Sequence, residues 1–153
     1  MIATTNYSQL DPRWKNKKIG KTNQVLGMYG CTITSLCNLV NSQGYNETPD
    51  TFNQKMTAAR GYLGALVIWG VVSKVWPRLR FIWRGGNYNN VKVAYYVYIK
   101  KIPVMVEVYN TASPTRRHWV LFIGDRKLID PLGGIVRSTS YFRTLTGYAL
   151  YDK

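Results

Sequence analysis

The sequence predicts a single α+β domain, with N-terminal helices packed on a C-terminal antiparallel sheet. Helical spacing of apolar residues is confined largely to the first half of the chain. Short β-prone runs bounded by Gly, Pro and Asp dominate the second half. At 153 residues the chain is long enough for one real core. No Ser/Pro/Gly-rich linker, low-complexity segment or internal repeat divides it, so residues 1–153 read as one domain.

The first helix begins at Cys31. Ile33, Leu36, Cys37 and Val40 recur at i, i+3, i+4 and i+7, which sets them on one face, and Gly44 marks the stop. Thr48 caps a second helix with Pro49 in its first position, carrying Phe52, Met56 and Ala59 on one side. A third, apolar helix is predicted from Leu63 to Trp76, ending before Pro77. Arg78 to Trp83 reads as a strand and Gly85-Gly86-Asn87 as a turn. Val91 to Lys100 is assigned as helix, although its Val and Tyr content also suits a strand. Val104 to Val108 is a strand, and residues 118–123 are apolar on both faces, as a buried strand is. Gly124-Asp125-Arg126 then turns the chain into a short strand from Lys127 to Asp130, and Tyr148 to Tyr151 is the last strand.

Cys31 lies in Tyr29-Gly30-Cys31-Thr32-Ile33-Thr34-Ser35-Leu36, in the first turn of its helix. Unpaired backbone N–H groups and the helix dipole favour an anion there and lower a thiol's pKa. A lone cysteine is more often a small core residue. Here the chain's one histidine, His118, and an acid, Asp130, complete the set that an activated nucleophile needs. A hairpin centred near Gly124 sets Phe122 opposite Arg126, Val120 opposite Leu128 and His118 opposite Asp130. In that register Asp130 accepts the His118 Nδ1–H and orients the ring, whereas a one-residue slip destroys the pairing. The competing reading makes Asp130 a turn acid before Pro131. Cys37 follows Cys31 by six positions, roughly 9 Å along a helix axis. A bridge between the two is therefore not expected on geometry, and Cys37 is assigned to the core.

The same stretches carry a resemblance. Tyr7-Ser8-Gln9-Leu10-Asp11-Pro12-Arg13-Trp14, Gly30-Cys31 with Thr34-Ser35-Leu36, Thr48-Pro49, Ile102-Pro103-Val104, His118-Trp119-Val120 and Asp130-Pro131 resemble, in order, the papain-fold double-glycine (bacteriocin-leader) peptidase-like family. The resemblance spans nearly the whole chain and implies a papain-like cysteine peptidase fold. It implies Cys31 as nucleophile, His118 as general base and acid, Asp130 as orienter, and Gln9 lining the oxyanion hole with the Cys31 backbone N–H. Gln24 also precedes the cysteine and competes with Gln9 for that role. Thr32 departs from the acid or glycine that many relatives have after the cysteine, which bears on specificity. Tyr29, Gly30, Trp119, Arg116 and Arg117, flanking the cysteine and the histidine, are the expected substrate-contacting residues.

Charge narrows the substrate. Twenty-one Lys and Arg against seven Asp and Glu give a net charge of +14, which calls for a polyanionic partner. Arg13, Lys15, Lys17, Lys18 and Lys21 crowd one segment, and a solvated face that aids solubility is the plainer alternative. With one His and two Cys no zinc site is expected, no phosphate-cradling loop is present, and no cofactor or specific nucleic-acid partner is called for. The Met1-Ile2-Ala3-Thr4-Thr5 start has neither a basic n-region nor an apolar h-region, so no secretory signal is evident. The apolar stretch from Leu63 to Val72 is too short to span a bilayer. These features together lead to the expectation of a monomeric, endolysin-type cysteine peptidase, made in the cytoplasm and acting on the cell wall after release. It would cleave peptide amides of bacterial peptidoglycan, held by anionic envelope polymers. The alternatives are a leader-peptide or effector protease acting on proteins, and a non-catalytic papain-like module that binds a polyanion.

Overall fold

The computed structural model describes residues 1–153. In chain order the elements are α1 (Leu26–Tyr29), α2 (Cys31–Ser42), α3 (Pro49–Ala58), β1 (Tyr62–Leu63), β2 (Leu66–Val67), α4 (Trp69–Val75), β3 (Arg80–Gly85) and α5 (Asn90–Ala94). A π-helical turn (Tyr95–Ile99) follows, then β4 (Val104–Tyr109), β5 (Arg117–Gly124), β6 (Lys127–Asp130), β7 (Ile135–Ser138), a 3₁₀ turn (Thr139–Tyr141) and β8 (Leu145–Asp152). The result is an α+β fold. Six antiparallel strands run in the order β3-β8-β4-β5-β6-β7, and β1 and β2 form a separate small hairpin.

Both faces of the six-stranded sheet are covered. On one, Met105, Trp119, Leu121, Ile129 and Ala149 pack against Leu36, Leu39 and Val40 of α2, with Phe52 and Met56 of α3 behind them. On the other, Val104, Val106, Val120, Phe122 and Leu150 pack against Val93 and Val97 of the α5 segment. Strand residues apolar on both sides follow from this double cover. The helix α2 is enclosed rather than amphipathic, since Ile33 to Val40 are all buried. Its polar members are used as ties: Ser35 Oγ donates to the Trp119 carbonyl at 3.1 Å, and Asn38 Oδ1 accepts from Thr5 Oγ1 at 2.7 Å. Those ties fix the helix against β5 and dock the N-terminal arm beside it.

Several predicted bounds are corrected. The helix assigned from Leu63 to Trp76 is cut in two, because Gly64 adopts φ +62 and turns Leu63 back on Leu66 as the β1–β2 hairpin. Leu63 and Leu66 are exposed, and of the apolar run there Ala65, Val67 and Trp69 pack against the core. The helix of α3 has the Thr48 cap and the buried Phe52 and Met56, but Ala59 is its exposed C-terminal cap and Asn53 is buried instead. The strand predicted from Arg78 starts and ends two residues later. It waits for the turn in which the Leu79 N–H donates to the Trp76 carbonyl at 3.1 Å. Gly85 consequently belongs to the strand rather than to the turn. The residues from Val91 to Ile99 are helical, with their second half π-helical. The elements α1 and β7 are additional, and β8 is longer than the predicted last strand.

Candidate functional site

Gly30 ends α1 and caps α2, so the two helices meet at one residue. A Cβ at this position would collide with the Leu26 carbonyl, which makes glycine necessary for the junction. Cys31 follows as the first residue of α2 and is partly exposed. The sulfur sits where His118 and the Trp119 backbone N–H act on it electrostatically, with the Thr32 hydroxyl 4.0 Å away.

His118 and Asp130 meet at the ends of β5 and β6, with side chains only 1% and 2% exposed. The hairpin joining these strands is not centred on Gly124. Asp125 and Arg126 form a two-residue turn, both with positive φ (52 and 58), as a type I′ turn requires. A register shift follows between Phe122 and Gly124, and Phe122 then faces Leu128 while Leu121 faces Ile129. Relative to the predicted register the pairing moves by two positions. A two-residue shift keeps every side chain on its face, so His118 and Asp130 meet diagonally instead of directly opposite. The ring nitrogen involved also differs: Nε2, not Nδ1, lies 2.7 Å from Asp130 Oδ1. Nδ1 is thereby the nitrogen left for the thiol.

Asp130 is held on all sides. Oδ1 also accepts the Leu132 N–H at 2.9 Å, and Oδ2 accepts Arg137 Nε–H at 2.8 Å. Arg137 in turn lies over the Tyr141 ring at 3.9 Å. Sequence reasoning missed Arg137, because β7, which carries it, has no clear strand signal; its buried register partner is Leu128.

The electrostatics follow from these contacts. Burial pushes the Cys31 thiol up, but the His118 hydrogen bond and charge, the Trp119 N–H and the Thr32 hydroxyl together bring it below its ordinary value. Burial disfavours a charged His118, yet the bond to Asp130 and the interaction with Cys31 raise its pKa from 6.5 to about 9. Burial likewise opposes ionisation of Asp130, and the His118, Arg137 and Leu132 hydrogen bonds overcome it and hold the carboxyl below 3.8. The arrangement favours a thiolate beside an imidazolium that a carboxylate orients. Cys37 is the contrast: fully buried, with its thiol donating to the Glu47 carbonyl at 3.4 Å, it has its pKa raised by desolvation and by Glu47.

A two-part cleft opens at Cys31. The smaller part, about 200 Å³, is lined by Gln9, Leu10, Gly27, His118 and Leu132 among others. The larger, about 390 Å³, is lined by Tyr29, Thr32, Leu66, Glu107 and Trp119 among others. Gln9 is buried and pinned to the same hairpin, since its N–H donates to the Pro131 carbonyl at 2.8 Å. Its Nε2 donates to the Leu26 and Gly27 carbonyls at 3.4 and 3.1 Å, while Oε1 is buried without a partner. Gln24 is exposed and lines the larger part, away from His118. Of the expected substrate-contacting residues, Tyr29, Trp119 and Arg117 line the larger part. Gly30 is buried in the helix junction, and Arg116 is exposed in the β4–β5 connection with φ +62; neither lines the cleft. No group of three or more His, Cys, Asp or Glu is gathered to hold a metal ion. No helix is long and apolar enough to cross a membrane.

Compared with known proteins, the chain matches no protein-family model, no curated protein and no solved structure.

Proposed function

We propose that this chain is a cysteine peptidase with a papain-like active site that hydrolyses amide bonds in the peptides of bacterial peptidoglycan. One observation carries the chemistry: a thiol at the start of α2 lies against an imidazole whose other nitrogen is bound to a buried carboxylate at 2.7 Å. In this reading the Cys31 thiolate attacks the amide carbonyl carbon and forms a C–S bond. The developing oxyanion takes hydrogen bonds from backbone N–H groups at the start of α2, and from Gln9 once its amide leaves the Leu26 and Gly27 carbonyls. The imidazolium of His118 gives its proton to the leaving nitrogen as the C–N bond breaks. Neutral His118 then takes a proton from a water whose oxygen bonds to the thioester carbon, and the C–S bond breaks to release the acid and restore the thiolate beside the imidazolium.

The substrate class rests on the charge. Lys15, Lys17, Lys18 and Lys21 are all exposed, on a segment anchored by buried Trp14 and Ile19. A basic surface of this kind suits a substrate embedded in an anionic envelope. The test is digestion of purified sacculi beside an unfolded protein substrate, with products read by mass spectrometry. Soluble muropeptides released from sacculi support the reading. Cleavage of the protein alone points to a leader-peptide or effector protease, and cleavage of neither, with slow alkylation of Cys31, to a non-catalytic binding module.

A further inference from the structure

The larger part of the cleft has a charged floor built across four neighbouring strands. Arg84 stands on β3, Thr146 on β8, Glu107 on β4 and Arg117 on β5. Glu107 is buried and lies beside Trp119 in the β4–β5 register. Its Oε1 accepts from Thr146 Oγ1 at 2.8 Å and from Arg117 Nη1 at 3.3 Å, and its Oε2 lies 3.7 Å from Arg84 Nη2. Both guanidiniums line the cleft with Cys31, and their side chains remain 46% and 64% exposed. Arg84 also lies over the Trp119 ring at 5.6 Å.

Glu107 therefore has Oε1 engaged by two donors and Oε2 facing the Arg84 guanidinium as an ion pair, whereas each guanidinium has five donors, of which Arg117 gives Glu107 one and Arg84 none within hydrogen-bond distance. Two guanidiniums and one carboxylate leave one net positive charge at the floor of the cleft. A buried acid that holds two arginines in place leaves them pre-set for an incoming planar anion, which the guanidinium fork binds in bidentate fashion. Position relative to the chemistry follows as well. His118 protonates the departing amine, so the leaving portion lies in the smaller part of the cleft beside His118, and the acyl portion lies over Glu107. We infer that Arg84 and Arg117, held by Glu107, form a subsite for a free carboxylate on the acyl side of the scissile amide. This rests on the peptidase reading above.

Peptidoglycan peptides provide matched probes: muropeptides whose D-isoglutamate α-carboxyl, or whose diaminopimelate carboxyl, is either free or amidated. With the native protein, kcat/KM for the better free-carboxylate substrate should exceed that for its amide partner by about tenfold or more, the worth of one charge-assisted bidentate contact. Arg117→Gln and Arg84→Gln should each shrink that ratio, and the double variant should bring it near one. Arg117→Lys, which keeps the charge beside Glu107 but not the fork, should also lose much of it. The same ratio should appear in Kd with Cys31→Ala, which reads binding without turnover. Carboxylate preference in binding, with no hydrolysis by the native protein, would leave the subsite standing and remove the peptidase reading. Hydrolysis without preference in either pair would overturn the subsite, and a preference for a lysine-bearing acyl side would overturn it and make Glu107 the recognition group.

Discussion

Replacing Asp130 by Asn preserves the shape of the side chain and removes its charge. One oxygen remains to accept from His118 and Leu132, but the new amide nitrogen faces Arg137 Nε, donor against donor, across the 2.8 Å now occupied by a hydrogen bond. Two charge-assisted bonds are weakened or lost, each worth about 1.5–3 kcal/mol. Arg137 is 22% exposed and recovers some hydration, so the net destabilisation expected in urea unfolding is about 2–4 kcal/mol. Its pH dependence has a definite sign. Because Asp130 has its pKa lowered from 3.8, its contribution is fully present above that value and is lost as pH falls through the lowered one. The gap between the native protein and the variant should close in that acid range, and should narrow in part as pH rises through about 9, where native His118 loses the charge that Asp130 stabilises. His118 gives a second, cleaner reading, since the single histidine yields one pair of ring C–H resonances in a proton NMR titration. Its midpoint should lie near 9 in the native protein. Without the carboxylate it should fall by about one unit or more, and under the proposed peptidase mechanism the alkaline limb of turnover should fall with it, since that mechanism has His118 carry the proton for the leaving amine. A native midpoint near 6.5, or one near 9 that Asp130→Asn does not move, would refute the account of how Asp130 acts.

The two cysteines should separate cleanly. Cys37→Ala should cost about 1–2 kcal/mol by denaturant unfolding, as a buried thiol lost from a packed helix, and leave the alkylation rate of Cys31 unchanged. Gly30→Ala forces a methyl onto the Leu26 carbonyl, so it should destabilise by about 1–3 kcal/mol and slow alkylation of Cys31 by iodoacetamide, because the start of α2 must shift. If the basic segment anchors the enzyme on the wall, Lys15, Lys17 and Lys18 replaced by Gln should weaken co-sedimentation with sacculi. Added salt should do the same, with soluble muropeptide cleavage much less affected, since attraction is already screened beyond ~8 Å at ~0.15 M.

The legible parts of the fold were those where local signals and burial agree. Thr48-Pro49 announces α3 by its own capping chemistry, and the structure shows the reciprocal Thr48–Thr51 bonds. Residues 118–123 show double-sided burial as continuous apolar composition. The positions of Cys31, His118 and Asp130 were readable because the helix start and the hairpin partners are local features. Their contact survives the wrong register only because the error was an even number of residues. What stayed hidden depends on tertiary placement. Leu63 and Leu66 look like core in sequence, yet Gly64 turns both outward, with Leu66 lining the cleft. Arg137 and Glu107 are ordinary charged residues in sequence; only the sheet order, with β7 beside β6 and β4 beside β5, brings one to Asp130 and the other to Arg117.

The most direct test of the central claim is to trap the acyl-enzyme. The native protein, mixed with a muropeptide at about pH 6, where a lowered thiol pKa matters most, and quenched rapidly in acid, should show by intact-mass spectrometry one adduct with the mass of the acyl fragment. Peptide mapping should place it as a thioester on Cys31, and Cys31→Ala should show neither the adduct nor hydrolysis. Hydrolysis that continues in Cys31→Ala, or an adduct that maps to Cys37, would contradict the assignment of Cys31 as the nucleophile.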